Sequence, residues 1–207
     1  MIKDMRKIVE VGYEKGSYAD KFRKIDKPNE IENRFLRLLI SHLPKNPSVL
    51  DFGSGIGIPF DNYLSKHGCK ITGVDISQKH IKQAQKNVPK ARYIKGGFSQ
   101  IKFQELFDAI VSFYAIFHIP KEEHSELFRK MVKLLKKGGL ILVTLGTSGT
   151  DGIEKDWCGA KMAWSTYDPK IYRKIVLEAG FEIIEEAFEG KPGDDEYHFW
   201  VLARKKY

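Results

Sequence analysis

The sequence predicts an α/β fold whose β-sheet is mostly parallel and ends in an antiparallel hairpin. Apolar strand segments alternate with helical segments between residues 48 and 145, which is the pattern of strand–helix–strand units in a parallel sheet. The segment 140–145 is almost continuously apolar, as expected for a strand that is covered on both faces. The segments 181–188 and 197–203 are joined through a Gly- and Pro-rich turn that leaves no room for a helix, so they are predicted to pair antiparallel.

Each predicted element follows from a local pattern. Strands are predicted at 48–51, 69–75, 91–95, 106–112 and 140–145, ahead of the hairpin strands 181–188 and 197–203. Helices are predicted at 30–43, 58–67, 77–87, 121–136 and 168–179. Ser77 is a good N-cap for the helix that it begins, and Pro89 ends that helix. The connection 146–167 shows no clear periodicity, and it is predicted to be a long loop.

The composition predicts one globular domain, residues 1–207. Hydrophobic residues make up 42% and charged residues 30% of the chain, and the length is sufficient for a sizeable core. No apolar run reaches the ~20 residues of a membrane span, and the N-terminus lacks the apolar core of a signal peptide, so we expect a cytoplasmic protein with no membrane partner. Cys69 and Cys158 are too few for a disulfide framework or a four-cysteine zinc site, and no other cluster has metal-ligand spacing.

The charge balance bears on the choice of partner. A formal net charge of +8 is compatible with nucleic-acid binding. The lysines are spread along the helices instead of forming one basic block, which favours a solvated surface and argues against a nucleic-acid partner. The oligomeric state stays open at this stage.

A glycine-rich turn after the first strand carries the main functional signal. The strand ends in Asp51, and three alternating glycines follow before the next helix: Gly53, Gly55 and Gly57. Such glycines adopt positive φ and let a ligand approach the backbone, while the start of the helix leaves N–H donors free. The next strand ends in Asp75, at the place where nucleotide-binding α/β folds have an acid that accepts hydrogen bonds from ribose hydroxyls.

Two cofactor classes compete for this arrangement. A dinucleotide fingerprint would need its third glycine at position 58, which is Ile58, and an acid before the glycines suits an ammonium group better than a pyrophosphate. The acid-x-Gly-x-Gly-x-Gly pattern of residues 51–57 and the later Asp75 resemble the class I S-adenosylmethionine (SAM) dependent methyltransferases. The resemblance in the order of elements extends over residues 45–205. It implies SAM as the cofactor and a doubly wound, seven-stranded sheet with the last strand inserted antiparallel.

The resemblance also implies roles for residues at the carboxyl ends of the strands. The acid and glycines of the turn would hold the methionine part of SAM, Asp75 the ribose and Ile76 the adenine. The family usually has an acid where Gly97 stands, so adenine recognition would depend on backbone groups and apolar contact there. The expected cofactor-binding residues are Asp51, Gly53, Gly55, Gly57, Asp75, Ile76, Gly97, Phe98, Ser112 and Tyr114.

The acceptor side of the site is less defined by the sequence. His118 is the first candidate for a general base, with packing at a strand end as the alternative. Residues 1–30 are expected to form either a lid over the cofactor or a terminal arm, with a short helix that Gly12 and Gly16 break. The loop 146–167 is a candidate substrate loop, whose aromatic residues either wall a pocket or pin the loop to the core. The candidate substrate-binding residues are Tyr18, Trp157, Trp164, Tyr167 and His198.

The expected function is transfer of a methyl group from SAM to a small-molecule acceptor by in-line displacement. An RNA or protein methyltransferase and a non-catalytic SAM-binding regulatory domain are the alternatives, and a nicotinamide oxidoreductase is the weakest. The turn after the strand 181–188 and its flanks are acidic, which favours either a cationic acceptor or a merely solvated turn. The acids of the turn and its flanks are Glu185, Glu186, Glu189, Asp194, Asp195 and Glu196.

Overall fold

The structure is a seven-stranded sheet with helices on both faces and a separate two-stranded hairpin. The computed structural model describes residues 4–23, 26–98, 100–194 and 197–206. The sheet strands are β1 (Ser48–Phe52), β2 (Lys70–Asp75), β3 (Arg92–Lys95), β4 (Phe107–Ser112), β5 (Leu135–Gly146), β8 (Phe181–Glu189) and β9 (His198–Lys205), and the hairpin strands are β6 (Asp151–Trp157) and β7 (Ala160–Ser165). The α-helices are α1 (Met5–Lys15), α2 (Tyr18–Phe22), α3 (Glu30–His42), α4 (Phe60–Lys66), α5 (Gln78–Asn87), α6 (His124–Leu134) and α7 (Pro169–Glu178).

The strand order confirms the predicted fold class. The sheet runs β3-β2-β1-β4-β5-β9-β8. The strands β1 to β5 pair in parallel, whereas β9 is antiparallel to both β5 and β8. Inserting β9 between β5 and β8 makes β8 run in the same direction as β5, so β8 also ends at the edge where β1 to β5 end.

Apolar side chains on both faces of the sheet explain the continuously apolar central strands. One face packs against α6 and α7 through Phe128 and Tyr172, and the other packs against α3 and α4 through Phe35 and Leu64. Neighbouring residues of β5 alternate between the two cores, with Ile141 and Val143 on one side and Leu140 and Leu142 on the other. Among the described residues, no helix is both long and apolar enough to cross a membrane.

Residues 146–167 form an ordered hairpin, and the prediction of an irregular loop is wrong. Trp157 pairs with Ala160 around a two-residue turn. Cys158 and Gly159 occupy that turn with φ of 52° and 84°, the positive values that a tight hairpin turn needs. Three consecutive charged residues on β6 and a register shift between Glu154 and Trp157 break the period-2 pattern by which a strand is recognised in a sequence.

Helix α1 continues through Gly12 to Lys15, so the predicted break at Gly12 is also wrong. A Cβ at residue 12 would lie 2.6 Å from the carbonyl oxygen of Lys161 and 2.8 Å from Cε of Met162. The glycine therefore lets α1 pack closely on β7. Met5 and Val9 of α1 complete this contact in a small apolar cluster of their own.

Candidate active site

A cavity of about 210 Å³ lies at the carboxyl ends of β1, β2 and β4. This is the edge at which open parallel sheets bind ligands. Helices α1 and α2 and the segment after β4 cover it. The residues that line it are Arg6, Val9, Tyr13, Tyr18, Gly53, Gly55, Val74, Asp75, Ile76, His80, Gly96, Gly97, Phe98, Phe113, Tyr114, Ala115, His118, Ile119, Glu123, Glu126, Leu127 and Lys130.

The glycine turn has the geometry that its sequence predicts. The three glycines adopt φ of 84° (Gly53), 53° (Gly55) and 77° (Gly57). A Cβ at Gly53 would lie 2.3 Å from Cβ of Ala115, whereas a Cβ at Gly55 would meet nothing within 4 Å. Gly53 and Gly55 line the cavity, while Gly57 lies outside the wall and packs near the Tyr93 hydroxyl. The turn therefore leaves open space beside Gly55, where a ligand can approach the backbone.

Asp75 holds the glycine turn as well as lining the cavity. Its Oδ2 accepts a hydrogen bond from the Gly55 N–H at 2.9 Å, and its Oδ1 accepts one from the Ser77 N–H at 2.8 Å. Nδ1 of His80 lies 3.4 Å from Oδ1 of Asp75. A carboxylate has about four lone-pair positions, so Asp75 retains acceptor capacity for ribose hydroxyls.

Asp51 lies behind the turn instead of in the cavity wall. It is 2% exposed, and Asp61, from the first turn of α4, is fully buried beside it. Burial raises the pKa of both carboxyl groups, and the charge of Asp61 raises that of Asp51 further. The Tyr93 hydroxyl donates a hydrogen bond to Oδ2 of Asp61 at 2.8 Å.

Apolar and backbone groups form the predicted adenine side of the cavity. Ile76, Gly97 and Phe98 all line it. The Phe98 ring packs edge-on against Phe52, with ring centroids 4.5 Å apart. The Gly97 N–H donates to the Gln100 side chain at 3.3 Å, so that amide is engaged within its own turn.

Ser112 and Tyr114, which follow one another closely at the end of β4, have different roles. Ser112 is buried outside the cavity wall, and its hydroxyl donates to the Phe52 carbonyl at 2.7 Å, which ties β4 to β1. Tyr114 lines the cavity with φ of 54°, an uncommon value for a bulky residue. Its N–H donates to the Thr144 hydroxyl. Strain of this kind is concentrated at functional sites.

The Tyr114 hydroxyl lies between two carboxyl groups. It is 3.0 Å from Oε1 of Glu32 and 2.8 Å from Oε2 of Glu189, which also accepts a hydrogen bond from the Trp200 indole at 2.9 Å. A phenol has one proton and can donate to only one of the two. Burial raises the pKa of Glu32, and the hydrogen bond that its other carboxyl oxygen accepts from the Asn29 N–H opposes this rise.

His118 lines the cavity as a neutral imidazole. Its Nδ1 lies 2.8 Å from the Ala163 carbonyl oxygen, which can only accept, so the proton is on Nδ1 and Nε2 has a free lone pair. Burial lowers the pKa of His118 to about 4. The ring is therefore unprotonated at neutral pH and can accept a hydrogen bond from a ligand.

The predicted substrate residues are only partly brought together. Tyr18 lines the cavity, and Trp157 stacks on Tyr18 with ring centroids 5.4 Å apart. Trp164 packs over Gly152, and Tyr167 packs near His124 and Tyr172; neither is among the described residues of the cavity wall. His198 is also outside that wall, with its ring 4.9 Å from that of Tyr114.

Most acids of the predicted acidic rim already have partners. Glu185 forms an ion pair with Arg34, and Glu186 accepts from Nε of Arg173 at 2.9 Å. Asp194 accepts from the Lys191 N–H within the turn. Among the described acids of this group, Glu189 reaches a cavity-lining side chain, Tyr114. Asp195 and Glu196 lie outside the described residues.

Tyr13 and Arg23 are two of the residues at the site that the sequence did not predict. The Tyr13 ring lies within 5.2–5.7 Å of the rings of Tyr18, His80, His118 and Trp157. A run of aromatic residues in the N-terminal segment was the available signal, but only the fold shows that α1 carries Tyr13 to the cavity.

Arg23 is the second missed residue. Its guanidinium lies over the rings of Tyr18, Phe60 and Tyr114 at 5.5, 5.4 and 5.2 Å. Cation–π contacts of this kind join the N-terminal segment to the body of the fold beside the cavity. Nothing in the local sequence around Arg23 distinguishes it from the many other basic residues of the chain.

The fold and this cavity together define an α/β protein that binds a nucleoside-containing cofactor. The glycine turn, the acid at the end of β2 and the apolar side of the cavity formed by Ile76 and Phe98 lie on one edge of the sheet. Residues 49–139 match the family model of the methyltransferase domain. The matched segment contains the glycine turn, Asp75, the adenine side of the cavity and His118.

Curated relatives agree with the match to the family model. A sterol 24-C-methyltransferase from Clavispora lusitaniae is 28% identical over 178 residues, which are 78% of this chain and 47% of the relative. A phosphoethanolamine N-methyltransferase from Plasmodium falciparum is 34% identical over 106 residues, which are 49% of this chain and 40% of the relative. The chain thus spans less than half the length of these relatives.

A solved structure extends the similarity to almost the whole chain. Magnesium protoporphyrin IX methyltransferase from Synechocystis PCC 6803, with bound SAM, superposes with a TM-score of 0.74 over 99% of this chain and 98% of that one. At 18% identity this likeness concerns the fold. The chain therefore has the fold of the class I SAM-dependent methyltransferases, and its residues 49–139 match a methyltransferase domain.

Proposed function

We propose that this chain binds SAM in the cavity at the sheet edge and transfers its methyl group to a small-molecule acceptor. The observation that carries the proposal is the close grouping of the glycine turn, Asp75 and an unprotonated His118 around one covered cavity. The family match over residues 49–139 supports it. The known activities of the longer relatives support only the class of reaction.

The residues present fit the cofactor. The space beside Gly55 accepts a ligand against the backbone, and the free acceptor capacity of Asp75 suits ribose hydroxyls. Ile76 and Phe98 provide apolar contact for adenine. The cofactor, when bound, supplies the electrophilic methyl group.

We propose that His118 accepts a hydrogen bond from the acceptor at Nε2 and so orients the attacking atom. The Ala163 carbonyl holds the ring in the required tautomer. A pKa of about 4 makes His118 a weak base. A weak base suits an acceptor that loses its proton late in the methyl transfer, or a neutral acceptor that needs no deprotonation before it attacks. Protonation of His118 should lower turnover only as the pH approaches 4.

The size of the cavity favours a small acceptor. A volume of about 210 Å³ is below the ~300–1,000 Å³ of typical small-molecule pockets. A bulky acceptor would require the covering helices α1 and α2 to move away from the cavity. Glu189 beside Tyr114 is compatible with an amine acceptor, but the pairing of Glu185 and Glu186 with arginines weakens the acidic-rim argument.

We propose further that α1 and α2 form a lid, because Tyr13 and Tyr18 line the cavity from outside the sheet. The contacts of Arg23 with Phe60 and Tyr114 would hold this lid closed. Ligand entry then requires these contacts to open.

A reducing, cytoplasmic location is compatible with the free thiols of Cys69 and Cys158.

Calorimetry with S-adenosylhomocysteine (SAH), SAM and NAD tests the cofactor assignment. We expect SAM and SAH to bind and NAD not to bind. Tight NAD binding without SAM binding would refute the proposal.

Turnover is then tested on a panel of amines, phenols and carboxylic acids. His118→Ala should lower kcat by about a hundredfold or more while SAH affinity is preserved. The matched control is His67→Ala, which removes an exposed histidine remote from the cavity. SAH binding without turnover on any acceptor would favour a non-catalytic SAM-binding domain.

A further inference from the structure

Two carboxyl groups are buried together behind the glycine turn. Asp51 is at the end of β1 and Asp61 is in the first turn of α4, and they are 2% and 0% exposed. Oδ1 of each residue is buried without a hydrogen-bond donor among the described residues. Two orphaned acceptor oxygens on interacting acids need an explanation, because buried polar groups are normally satisfied.

A single shared proton satisfies both oxygens. Two adjacent buried carboxylates cannot both ionise, because each charge disfavours the other and burial disfavours both. A proton on one acid converts its oxygen from an acceptor into a donor toward the other. The titratable groups that act on the pair are Asp75 and Tyr93, and no cation of the described chain compensates its charge.

Two glycines leave the space that the Tyr93 side chain occupies beside Asp61. A Cβ at Gly73 would lie 2.5 Å from the Tyr93 ring, and a Cβ at Gly57 would lie 2.7 Å from its hydroxyl. The glycines thus make room for the tyrosine that donates to Asp61. Because that hydroxyl engages Oδ2 of Asp61, it fixes the carboxyl group in place beside Asp51.

We propose that Asp51 and Asp61 share one proton in the free protein, and that Asp61 and Tyr93 are positioning residues that prepare Asp51 for a cationic group at the glycine turn. This inference rests on the proposed function, in which the methionine ammonium of the cofactor lies at that turn. Because Asp51 lies behind the cavity wall, an ammonium group at the turn would act on it across the turn, and its positive charge would favour the fully ionised pair. The carboxyl O–H bond breaks, the electron pair stays on the carboxylate, and the proton goes to the buffer.

Infrared spectroscopy tests the shared proton without any ligand. At pH 7 the ordinary exposed carboxyl groups are ionised, so a protonated carboxyl band reports buried acids such as this pair. We expect the band in wild type and its loss or strong reduction in Asp61→Asn, whose amide can donate to an ionised Asp51. An unchanged band in Asp61→Asn, or no band in wild type, would overturn the proposal. The exposed Asp156→Asn is the control and should retain the band.

Calorimetry of SAH binding in buffers of different ionisation enthalpy tests the link to the cofactor. Wild type should release up to ~1 proton per site at pH 6–7, so its affinity should rise with pH. Asp61→Asn should release markedly less, and its affinity should depend less on pH. Tyr93→Phe removes a donor to the ionised form of Asp61, so its proton release should persist to higher pH.

The possible outcomes separate this inference from the proposed function. SAH binding with equal proton release in wild type and Asp61→Asn would refute the role of the pair while leaving the cofactor site intact. No SAH binding at all would refute the proposed function, and the infrared experiment would still decide whether the proton is shared. Thermal unfolding of each variant confirms that the compared proteins are folded.

Discussion

Replacement of Asp75 by alanine is predicted to weaken cofactor binding through two separate contacts. In the free protein Asp75 accepts hydrogen bonds from the N–H groups of Gly55 and Ser77, and it is 7% exposed. Under the proposed function it also accepts from the ribose. Asp75→Ala removes the ribose contact directly and releases the Gly55 amide, which helps to set the shape of the turn.

The expected loss follows from the energies of hydrogen bonds to charged groups. One such bond contributes about 1.5–3 kcal/mol. Loss of the ribose contact alone should therefore raise the Kd of SAH about tenfold to a hundredfold, since 1.4 kcal/mol corresponds to a factor of ten. Release of the turn adds to this, so the measured loss should lie at or above the upper part of the range.

A SAH analogue that lacks the ribose 2′-hydroxyl separates the two contacts in calorimetric titrations. The penalty of Asp75→Ala should be smaller for this deoxy analogue than for SAH, because the ribose contact is already missing. Asp75→Asn is the isosteric comparator: its NH2 group would face a backbone N–H donor, so it should also bind weakly. If Asp75→Ala binds SAH within twofold of wild type, the ribose assignment is refuted. If Asp75→Ala weakens the binding of SAH and of the deoxy analogue equally, Asp75 acts only by holding the glycine turn.

Three further predictions concern packing and pH. Gly12→Ala should lower the free energy of unfolding by about 1–3 kcal/mol, because its Cβ would lie 2.6 Å from the Lys161 carbonyl oxygen; urea unfolding measures this, and an unchanged midpoint would contradict the packing of α1. Gly53→Ala should abolish measurable SAH binding, since its Cβ would lie 2.3 Å from Cβ of Ala115 at a φ of 84°; calorimetry checks it, and wild-type affinity would argue against the observed turn. Burial lowers the pKa of His124 from 6.5 to about 4, so the unfolded chain binds more protons and this histidine should reduce stability by up to about 3 kcal/mol as the pH drops from 7 to 4. His118 contributes in the same direction, so His124→Gln should make the pH dependence less steep in urea unfolding, and an equally steep profile would exclude His124 as one of its sources.

The cofactor side of the candidate site was predictable because its residues lie close together in the sequence or at the ends of neighbouring strands. Three glycines in a turn of alternating residues, and an acid at the end of the next strand, are local patterns with local causes. Seven of the cavity-lining residues predicted for the cofactor come from such strand ends or the glycine turn: Gly53, Gly55, Asp75, Ile76, Gly97, Phe98 and Tyr114. The alternation of apolar strands with helices likewise predicted the parallel sheet, whereas the insertion of the last strand followed from the family resemblance.

The residues on the acceptor side of the candidate site could not be predicted from the sequence, because contacts between distant segments bring them together. Tyr13 reaches the cavity only because Gly12 lets α1 pack on β7, a strand that lies some 150 residues further along the chain. Strand β6, which carries Trp157, has no sequence period that would reveal it, since its register is shifted and its residues are largely exposed.

Burial and pairing were likewise decided by the tertiary structure. The sequence alone determined that Asp51 precedes the glycines, but not that Asp61 lies beside it, with no compensating cation in the part of the chain that the structure describes. It determined that the turn after β8 is acidic, but not that Arg34 and Arg173 neutralise two of those acids. A local pattern specifies which groups a segment can offer to a ligand, whereas the charge that a group carries there depends on neighbours that only folding brings together.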